Sequence, residues 1–186
     1  MPRDLSYTIW FSQRTGSTLL CEALRSTGVA GRPGEWLHDV DAARSLAQLS
    51  SGEVAAWRSK IWVDGSTPNG VFGLKHSFYE PHFSSLVEAF RRLPGAPDSE
   101  SPRPQLWEHA FPNHHHIFMT RRNKVRLAVS WWRAIQSQEW HRKQGTVPQP
   151  SDLADAYNFD AIAHLLRESV LREAGIQAFF DEGEIV

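Results

Sequence analysis

The sequence is poor in cysteine and in long apolar runs, and each shortage excludes a class of protein. Its 186 residues include one cysteine, Cys21, so neither an internal disulfide nor a cysteine-rich metal site can form. No apolar run approaches the ~20 residues that a membrane-spanning helix needs. The amino terminus, MPRDLSYTIWF, lacks the long apolar stretch and small-residue cleavage site of a signal peptide. We therefore expect a cytoplasmic protein without a membrane span.

The sequence also lacks an excess of charge of either sign, with 20 Lys and Arg residues against 21 Asp and Glu residues. A net charge of −1 argues at first against an anionic ligand. The total hides an uneven distribution, because residues 121–143 carry a net charge of +6 and residues 144–186 carry −6. The local charge is therefore a better guide to an anion-binding site than the net charge of the whole sequence.

Apolar periodicity predicts alternating strands and helices. Residues 6–11 are predicted to form a buried strand, followed by a glycine-containing loop and a helix that starts near Thr18. The other predicted elements are strands at 70–76 and 115–120, helices at 39–50, 53–62, 82–93, from 123 onward and at 158–180, and a flexible proline-rich segment at 94–105. This alternation predicts an α/β fold with a mainly parallel central sheet flanked by helices.

The loop after the first strand, SQRTGST at 12–18, has the composition of an anion site. Unpaired N–H groups and the positive end of the helix dipole attract phosphate at a helix amino terminus. Gly16 allows close approach of a ligand, and Arg14 adds a positive charge. The nucleoside-triphosphatase pattern G-x-x-x-x-G-K-[ST] is absent, because no lysine precedes Ser17. A plain strand-to-helix connection with an exposed Arg14 is the structural alternative.

A second candidate anion site lies in RRNKVRLAVSWWRA, residues 121–134. If Asn123 caps a helix, Arg122 stands at its entrance, and Arg126 and Ser130 follow four and eight residues later along one stripe. Guanidinium groups form paired, charge-assisted hydrogen bonds with phosphate. The alternative is a solvated basic helix face. Two such segments, each at a strand-to-helix junction, indicate a ligand that is phosphorylated at two separated positions.

Three consecutive histidines, His114 to His116, do not predict a metal site. Adjacent side chains of a strand alternate between its faces, so the three rings cannot converge on one ion. Cys21 lies among leucines on the first predicted helix, and we expect it to be a buried structural thiol. No metal is therefore expected.

In these stretches the sequence resembles sulfotransferases that use 3′-phosphoadenosine 5′-phosphosulfate (PAPS), and more narrowly the bacterial trehalose 2-sulfotransferase-like family. The matching stretches are SQRTGSTLLCEALRSTGVAGRPGEW at 12–36, TPNGVFGLK at 67–75 and RRNKVRLAVSWWRA at 121–134, in the same order and spacing. The resemblance implies the P-loop NTPase-like sulfotransferase fold. It also implies a single sulfotransferase domain over residues 1–186, with the last part of the family's domain missing.

The resemblance implies a role for each matching residue. The loop that binds the 5′-phosphosulfate comprises Gln13, Arg14, Thr15, Gly16, Ser17 and Thr18. Arg14 is also implied to be catalytic, and Arg122 and Ser130 are implied to bind the 3′-phosphate. Glu35 occupies the position of the family's proposed general base. Lys75 matches a lysine near the active site, and we regard His76, which follows it, as the rival base. Candidate substrate-binding residues are Glu35, Lys75 and His76.

These observations predict a PAPS-dependent sulfotransferase that transfers a sulfuryl group to a hydroxyl of a carbohydrate or glycolipid. We expect no nucleic-acid partner, and a homodimer is an open alternative to a monomer. A non-catalytic nucleotide- or sugar-binding remnant of a sulfotransferase is the second hypothesis. A P-loop phosphotransferase is the third, and the missing lysine disfavours it.

Overall fold

In the computed structural model, the described residues form one sheet of three parallel strands. The structure describes residues 5–38, 46, 48–98, 100–141, 145 and 154–185. Strand β1 (Leu5–Phe11) lies in the centre, between β2 (Val71–His76) and β3 (His114–Met119). Both pairings are parallel, so the carboxyl ends of the strands meet at one edge. This arrangement confirms the predicted parallel α/β sheet, and ligands of such sheets bind at that edge.

Six helices and one short 3₁₀ turn accompany the sheet in the described part of the chain. They are α1 (Ser17–Ser26), α2 (Ser51–Gly65), α3 (His82–Arg91), α4 (Arg103–Ala110), α5 (Lys124–Ser137), the turn Ala154–Ala156 and α6 (Phe159–Glu182). Five of these helices match predicted ones to within a few residues. The predicted helix at 39–50 lies mostly outside the described residues.

Side-chain caps explain where two of the longer helices begin. The Asn123 side chain accepts a hydrogen bond from the backbone of Arg126 at 2.8 Å, so the predicted cap of α5 is confirmed. Ser50 and Glu53 form a reciprocal capping box at the start of α2. These caps satisfy N–H groups that a helix leaves unpaired in its first turn.

Helix α4 corrects the prediction that residues 94–105 form only a flexible segment. The helix begins at Arg103, with Pro104 in its first turn, where a missing N–H costs nothing. Leu106 and Trp107 are fully buried, and the Trp107 indole donates a hydrogen bond to the Thr8 hydroxyl at 3.0 Å. The four prolines of this segment favoured the prediction of a flexible segment. The helix forms because its inner face packs against the sheet.

The two faces of the sheet bury different partners. Trp10 is fully buried on one face, where its ring lies 4.8 Å from that of Trp107 and 4.9 Å from that of Phe179. On the other face, Tyr7 and Ile9 pack with Cys21 of α1. Burial raises the pKa of the Cys21 thiol to about 11, so the thiol stays protonated near neutral pH. The expectation of a buried structural thiol is confirmed.

The alternation of β3 separates the three histidines as expected. His114 and His116 face the aromatic core, where the Trp10 indole donates to His116 Nδ1 at 2.8 Å, whereas His115 is exposed. Burial and the neighbouring histidines hold the pKa of His114 well below its usual range and lower that of His116 to about 4. Within the described ranges, no group of three or more His, Cys, Asp or Glu side chains is placed to hold a metal ion.

Candidate active site

The loop between β1 and α1 leaves the start of a helix open to an anion. Gly16, at the N-cap, adopts φ = 92°, and a Cβ built there would meet nothing within 4 Å. Among the described residues, no side-chain hydrogen bond caps α1, and the N–H groups of its first turn have no partner within the helix. Thr15 Oγ1 donates to the Ser12 carbonyl at 2.9 Å and braces the loop. A helix start of this kind is suited to phosphate.

Arg14 connects this loop to helix α5. Its Nε donates to Ser130 Oγ at 3.1 Å, and its Nη1 donates to the Trp140 carbonyl at 2.5 Å. Arg121 Nη1 lies 3.4 Å from the Arg14 carbonyl and donates to it. Burial and the positive charge of Arg121 lower the pKa of Arg14, against the opposing effect of Glu139. The two segments that the sequence singled out as anion sites therefore meet at one arginine.

A cavity of about 720 Å³ opens beside this arginine. Five of the residues predicted from the sequence line it: Arg14, Gly16, Ser17, Thr18 and Ser130. Its other lining residues are Leu19, Glu22, Arg121, Trp140 and His141. Two guanidinium groups and an uncapped helix start outweigh the single carboxylate, so the cavity favours an anionic ligand.

Glu35 is linked to the same helix start through Lys75. Lys75 Nζ donates to Glu35 Oε1 at 2.7 Å and to Thr18 Oγ1 at 3.1 Å, and it lies 4.4 Å from the centroid of the Phe11 ring. The backbone fixes this arrangement, because the Lys75 N–H donates to the Gly34 carbonyl at 2.9 Å. The Glu35 side chain is 39% exposed, whereas that of Lys75 is 8% exposed. A carboxylate is thus held within reach of both solvent and the loop.

His76 occupies the opposite face of β2 from Lys75. Its ring lies 5.6 Å from that of Trp10 and 5.5 Å from that of Trp107, inside the aromatic core. Burial, with smaller contributions from His82 and His38, lowers its pKa to about 3. The structure therefore does not bring His76 to Glu35 and the cavity, because successive side chains of a strand point to opposite faces.

Arg122 and Gln13 lie apart from the cavity that the other predicted residues line. Arg122 is exposed, and Arg121 rather than Arg122 lines the cavity. The Gln13 side chain turns towards α6, where its Oε1 accepts a hydrogen bond from Arg172 Nη1 at 2.9 Å. Next to it, the Ser12 hydroxyl donates to Glu173 Oε1 at 2.8 Å.

Sequence reasoning missed several residues of this region. The helix predicted from residue 123 onward ends at Ser137, and Gln138 adopts a left-handed conformation with φ = 56°, so Trp140 lies beyond the helix. This turn brings His141 to the cavity, where burial and the charges of Lys75 and Arg14 lower its pKa against the effect of Glu35. No local sequence pattern predicts a role for Arg172 and Glu173, since their partners Gln13 and Ser12 lie far away in the sequence.

Comparison with known proteins finds trehalose 2-sulfotransferases among the relatives of this chain. A trehalose 2-sulfotransferase of Mycolicibacterium smegmatis is 32% identical over 207 aligned positions, which cover 97% of this chain and 74% of the relative. A trehalose 2-sulfotransferase of Mycobacterium tuberculosis is 31% identical over 200 positions, which cover 95% of this chain and 73% of the relative.

No helix in the described parts of the chain is long and apolar enough to cross a membrane.

The family model described as Stf0 sulphotransferase matches residues 6–186, nearly the whole chain. This match, the two relatives and the parallel α/β fold confirm the resemblance that the motifs indicated. The chain therefore belongs to the Stf0 sulphotransferase family and is a sulfotransferase-family enzyme, which requires a sulfuryl donor.

Proposed function

We propose that this enzyme transfers a sulfuryl group from PAPS to a hydroxyl of a carbohydrate or glycolipid acceptor, with Glu35 as the general base. Both relatives are trehalose 2-sulfotransferases, which supports a sugar as the acceptor. We further propose that residues 1–186 belong to one domain. The main core cluster supports this, because its buried residues run from Trp10 to Phe180.

One observation carries the proposal: the Lys75 ammonium contacts both Glu35 and Thr18. Thr18 belongs to the phosphate loop, whereas Glu35 is a carboxylate that an acceptor hydroxyl can approach from solvent. A sulfuryl transferase needs its base and its anion site side by side, because the acceptor oxygen attacks as it loses its proton. Lys75 keeps these two groups together.

The residues around the cavity fit a doubly phosphorylated donor. The open helix start and the cavity-lining loop residues Arg14, Gly16, Ser17 and Thr18 would hold the 5′-phosphosulfate, while Ser130 would hold the 3′-phosphate. The family resemblance adds Arg122, which lies outside the cavity lining, to the 3′-phosphate site. When bound, PAPS supplies a sulfuryl group that is activated by its bond to phosphate. Arg121 adds a second guanidinium to the cavity, and it neutralises further negative charge.

Each charged residue has a separate role in the proposed sulfuryl transfer. Glu35 accepts the proton of the acceptor hydroxyl, and Lys75 fixes the orientation of its carboxylate. Arg14 stabilises the negative charge that develops on the oxygen linking phosphate and sulfuryl group. Ser130 and the Trp140 carbonyl hold the Arg14 guanidinium ready for this role, so little reorganisation is needed.

Binding and transfer can be tested separately. Calorimetry with 3′-phosphoadenosine 5′-phosphate is expected to give binding at least tenfold tighter than with AMP, a difference of about 1.4 kcal/mol from the added phosphate. Incubation with [³⁵S]PAPS and trehalose is expected to give a labelled sugar. Equal affinity for the two nucleotides would contradict the donor assignment, while tight binding without transfer to any sugar would favour a non-catalytic remnant.

A further inference from the structure

A carboxylate in the middle of α6 contacts two segments of the chain, the loop at 12–18 and residues 120–130, which run from the end of β3 into α5. Glu173 Oε1 accepts a hydrogen bond from the Ser12 hydroxyl at 2.8 Å. Its other oxygen, Oε2, accepts from the Thr120 hydroxyl at 2.9 Å and from the Lys124 ammonium, which also donates to Thr120 Oγ1 at 2.7 Å. Each carboxylate oxygen therefore serves a different segment.

The register of the sheet places the two hydroxyls side by side. Phe11 of β1 pairs with Met119 of β3, and Ser12 and Thr120 follow these two residues directly. Parallel strands in register bring the residues that follow them to neighbouring positions, so one side chain can reach both hydroxyls. Ser12 is fully buried, which makes the hydrogen bond from its hydroxyl costly to lose.

Helix α6 fixes the position of Glu173. The residue lies near the middle of the helix, which spans Phe159–Glu182. Ser169 and Ile176, about one turn before and after it, are both fully buried and anchor this part of the helix. The Glu173 side chain is 13% exposed and that of Lys124 is 27% exposed. A carboxylate that has lost most of its solvent needs hydrogen bonds in return, and the two segments supply them.

The other hydrogen bonds described between the two segments involve residues of the cavity. Arg14 Nε donates to Ser130 Oγ, and Arg121 Nη1 donates to the Arg14 carbonyl. These three residues line the cavity, so a bound nucleotide would compete for their side chains. Among the described residues, neither Glu173 nor any of its three partners lines it. The connection through Glu173 can therefore persist when the donor is bound.

We propose that Glu173 is a positioning residue that sets the spacing between the 5′-phosphate and 3′-phosphate sites of the donor. This inference rests on the proposed function, in which the loop at 12–18 holds the 5′-phosphosulfate and residues 120–130 hold the 3′-phosphate. A ligand with two phosphates gains fully from the second one only when both sites are already in place, because less ordering is then required on binding. Glu173 does not touch the nucleotide and acts through its partners in the two segments.

The preference for a second phosphate measures this role. Glu173→Gln keeps the size of the side chain, but its one carboxamide oxygen can accept hydrogen bonds from one segment only. Calorimetry would give the Kd of 3′-phosphoadenosine 5′-phosphate and of AMP for wild type and variant. The ratio of the two Kd values is expected to fall roughly fivefold or more, a usual size for coupling between two sites, with the Kd of AMP changed by less than about threefold.

Two further variants on α6 serve as controls. Glu173→Asp keeps the charge and both oxygens, so it should retain more of the preference than Glu173→Gln. Glu182→Gln makes the same chemical change on the same helix and removes an ion pair with Arg103, which lies outside both segments. It should leave the ratio unchanged. Urea titrations show whether each variant is folded.

The outcomes separate this inference from the proposed function. Wild-type protein that binds the two nucleotides equally overturns the donor assignment and this inference with it. A wild-type preference that survives in Glu173→Gln overturns the inference alone, and so does an equal loss of affinity for both nucleotides, which a purely structural role would give. If Glu173→Gln does not fold, Ser12→Ala decides, because it removes one hydroxyl and leaves Glu173 paired with Lys124. It is expected to lose the preference, and its full retention would overturn the inference.

Discussion

The two faces of the central sheet carry neighbouring residues into opposite environments. On the face towards α1, the Lys75 ammonium is paired with Glu35 and contacts Thr18. On the other face, His76 lies in an aromatic core that contains Trp10 and Trp107. The first face holds a charged pair whose carboxylate is partly exposed, and the second keeps its histidines neutral by burial. We infer that the chemistry belongs to the α1 face and the stability to the aromatic face.

The largest effect on turnover is expected from removing the proposed general base, Glu35, on the α1 face. Glu35→Gln keeps the shape of the side chain but cannot accept a proton, so turnover is expected to fall roughly 10²–10⁴-fold, the usual contribution of a general base. The affinity for 3′-phosphoadenosine 5′-phosphate should persist, because Glu35 does not line the cavity. Glu108→Gln, at an exposed helix position, is the control. Undiminished turnover in Glu35→Gln would reject the assignment.

Substituting the two neighbours on β2 compares the faces directly. Lys75→Met removes the ammonium that orients Glu35, and turnover is expected to fall about tenfold to a hundredfold with little loss of stability. His76→Ala leaves a cavity in the aromatic core and is expected to cost about 2 kcal/mol or more of unfolding free energy. Urea titrations and steady-state kinetics on both variants provide the measurements. A large loss of turnover in folded His76→Ala would restore His76 as the rival base.

Much of this division could be predicted from the sequence, because it depends on local pattern. Alternation along the strands predicted opposite faces, and the glycine-containing loop and the Asn123 cap followed from residue type. The contacts of Arg172 with Gln13 could not be predicted, since the two residues lie 159 positions apart. Which of Arg121 and Arg122 lines the cavity could not be predicted either, because it depends on how the chain turns between β3 and α5.

Acid is expected to destabilise the aromatic face selectively. Burial lowers the pKa of His76 to about 3 and that of His116 to about 4, whereas unfolded histidine titrates near 6.5. Below about pH 6.5 the unfolded state therefore binds more protons, so the unfolding free energy should fall as pH decreases from 6.5 towards 4, by up to about 1.4 kcal/mol per pH unit for each histidine.

Urea titrations at several pH values measure this slope. His116→Gln removes one buried histidine and should make the slope shallower, while His164→Gln, at an exposed position of α6, should leave it unchanged. A slope that is the same in all three proteins would show that the buried histidines are not responsible for the acid sensitivity.

The smallest expected effect is a change in nucleotide affinity that distinguishes the adjacent residues Arg121 and Arg122. The family resemblance implies that Arg122 binds the 3′-phosphate, whereas Arg121 lines the cavity and donates to the Arg14 carbonyl. Arg122→Ala is therefore expected to weaken binding of 3′-phosphoadenosine 5′-phosphate about tenfold, or about 1.4 kcal/mol, and to leave binding of AMP unchanged. Arg121→Ala should weaken the binding of both nucleotides, since Arg121 contacts the loop proposed to hold the 5′-phosphate.

Calorimetry with the two nucleotides separates these cases, and Arg133→Ala, at an exposed position of α5, serves as the control. If Arg121→Ala alone lost the preference for the 3′-phosphorylated nucleotide, the role assigned to Arg122 would pass to its neighbour. The implied eight-residue separation from Ser130 would then be nine, and the turn before Asn123 would account for the difference. The same result would strengthen the division between the faces, because the donor would then depend only on residues that line the cavity.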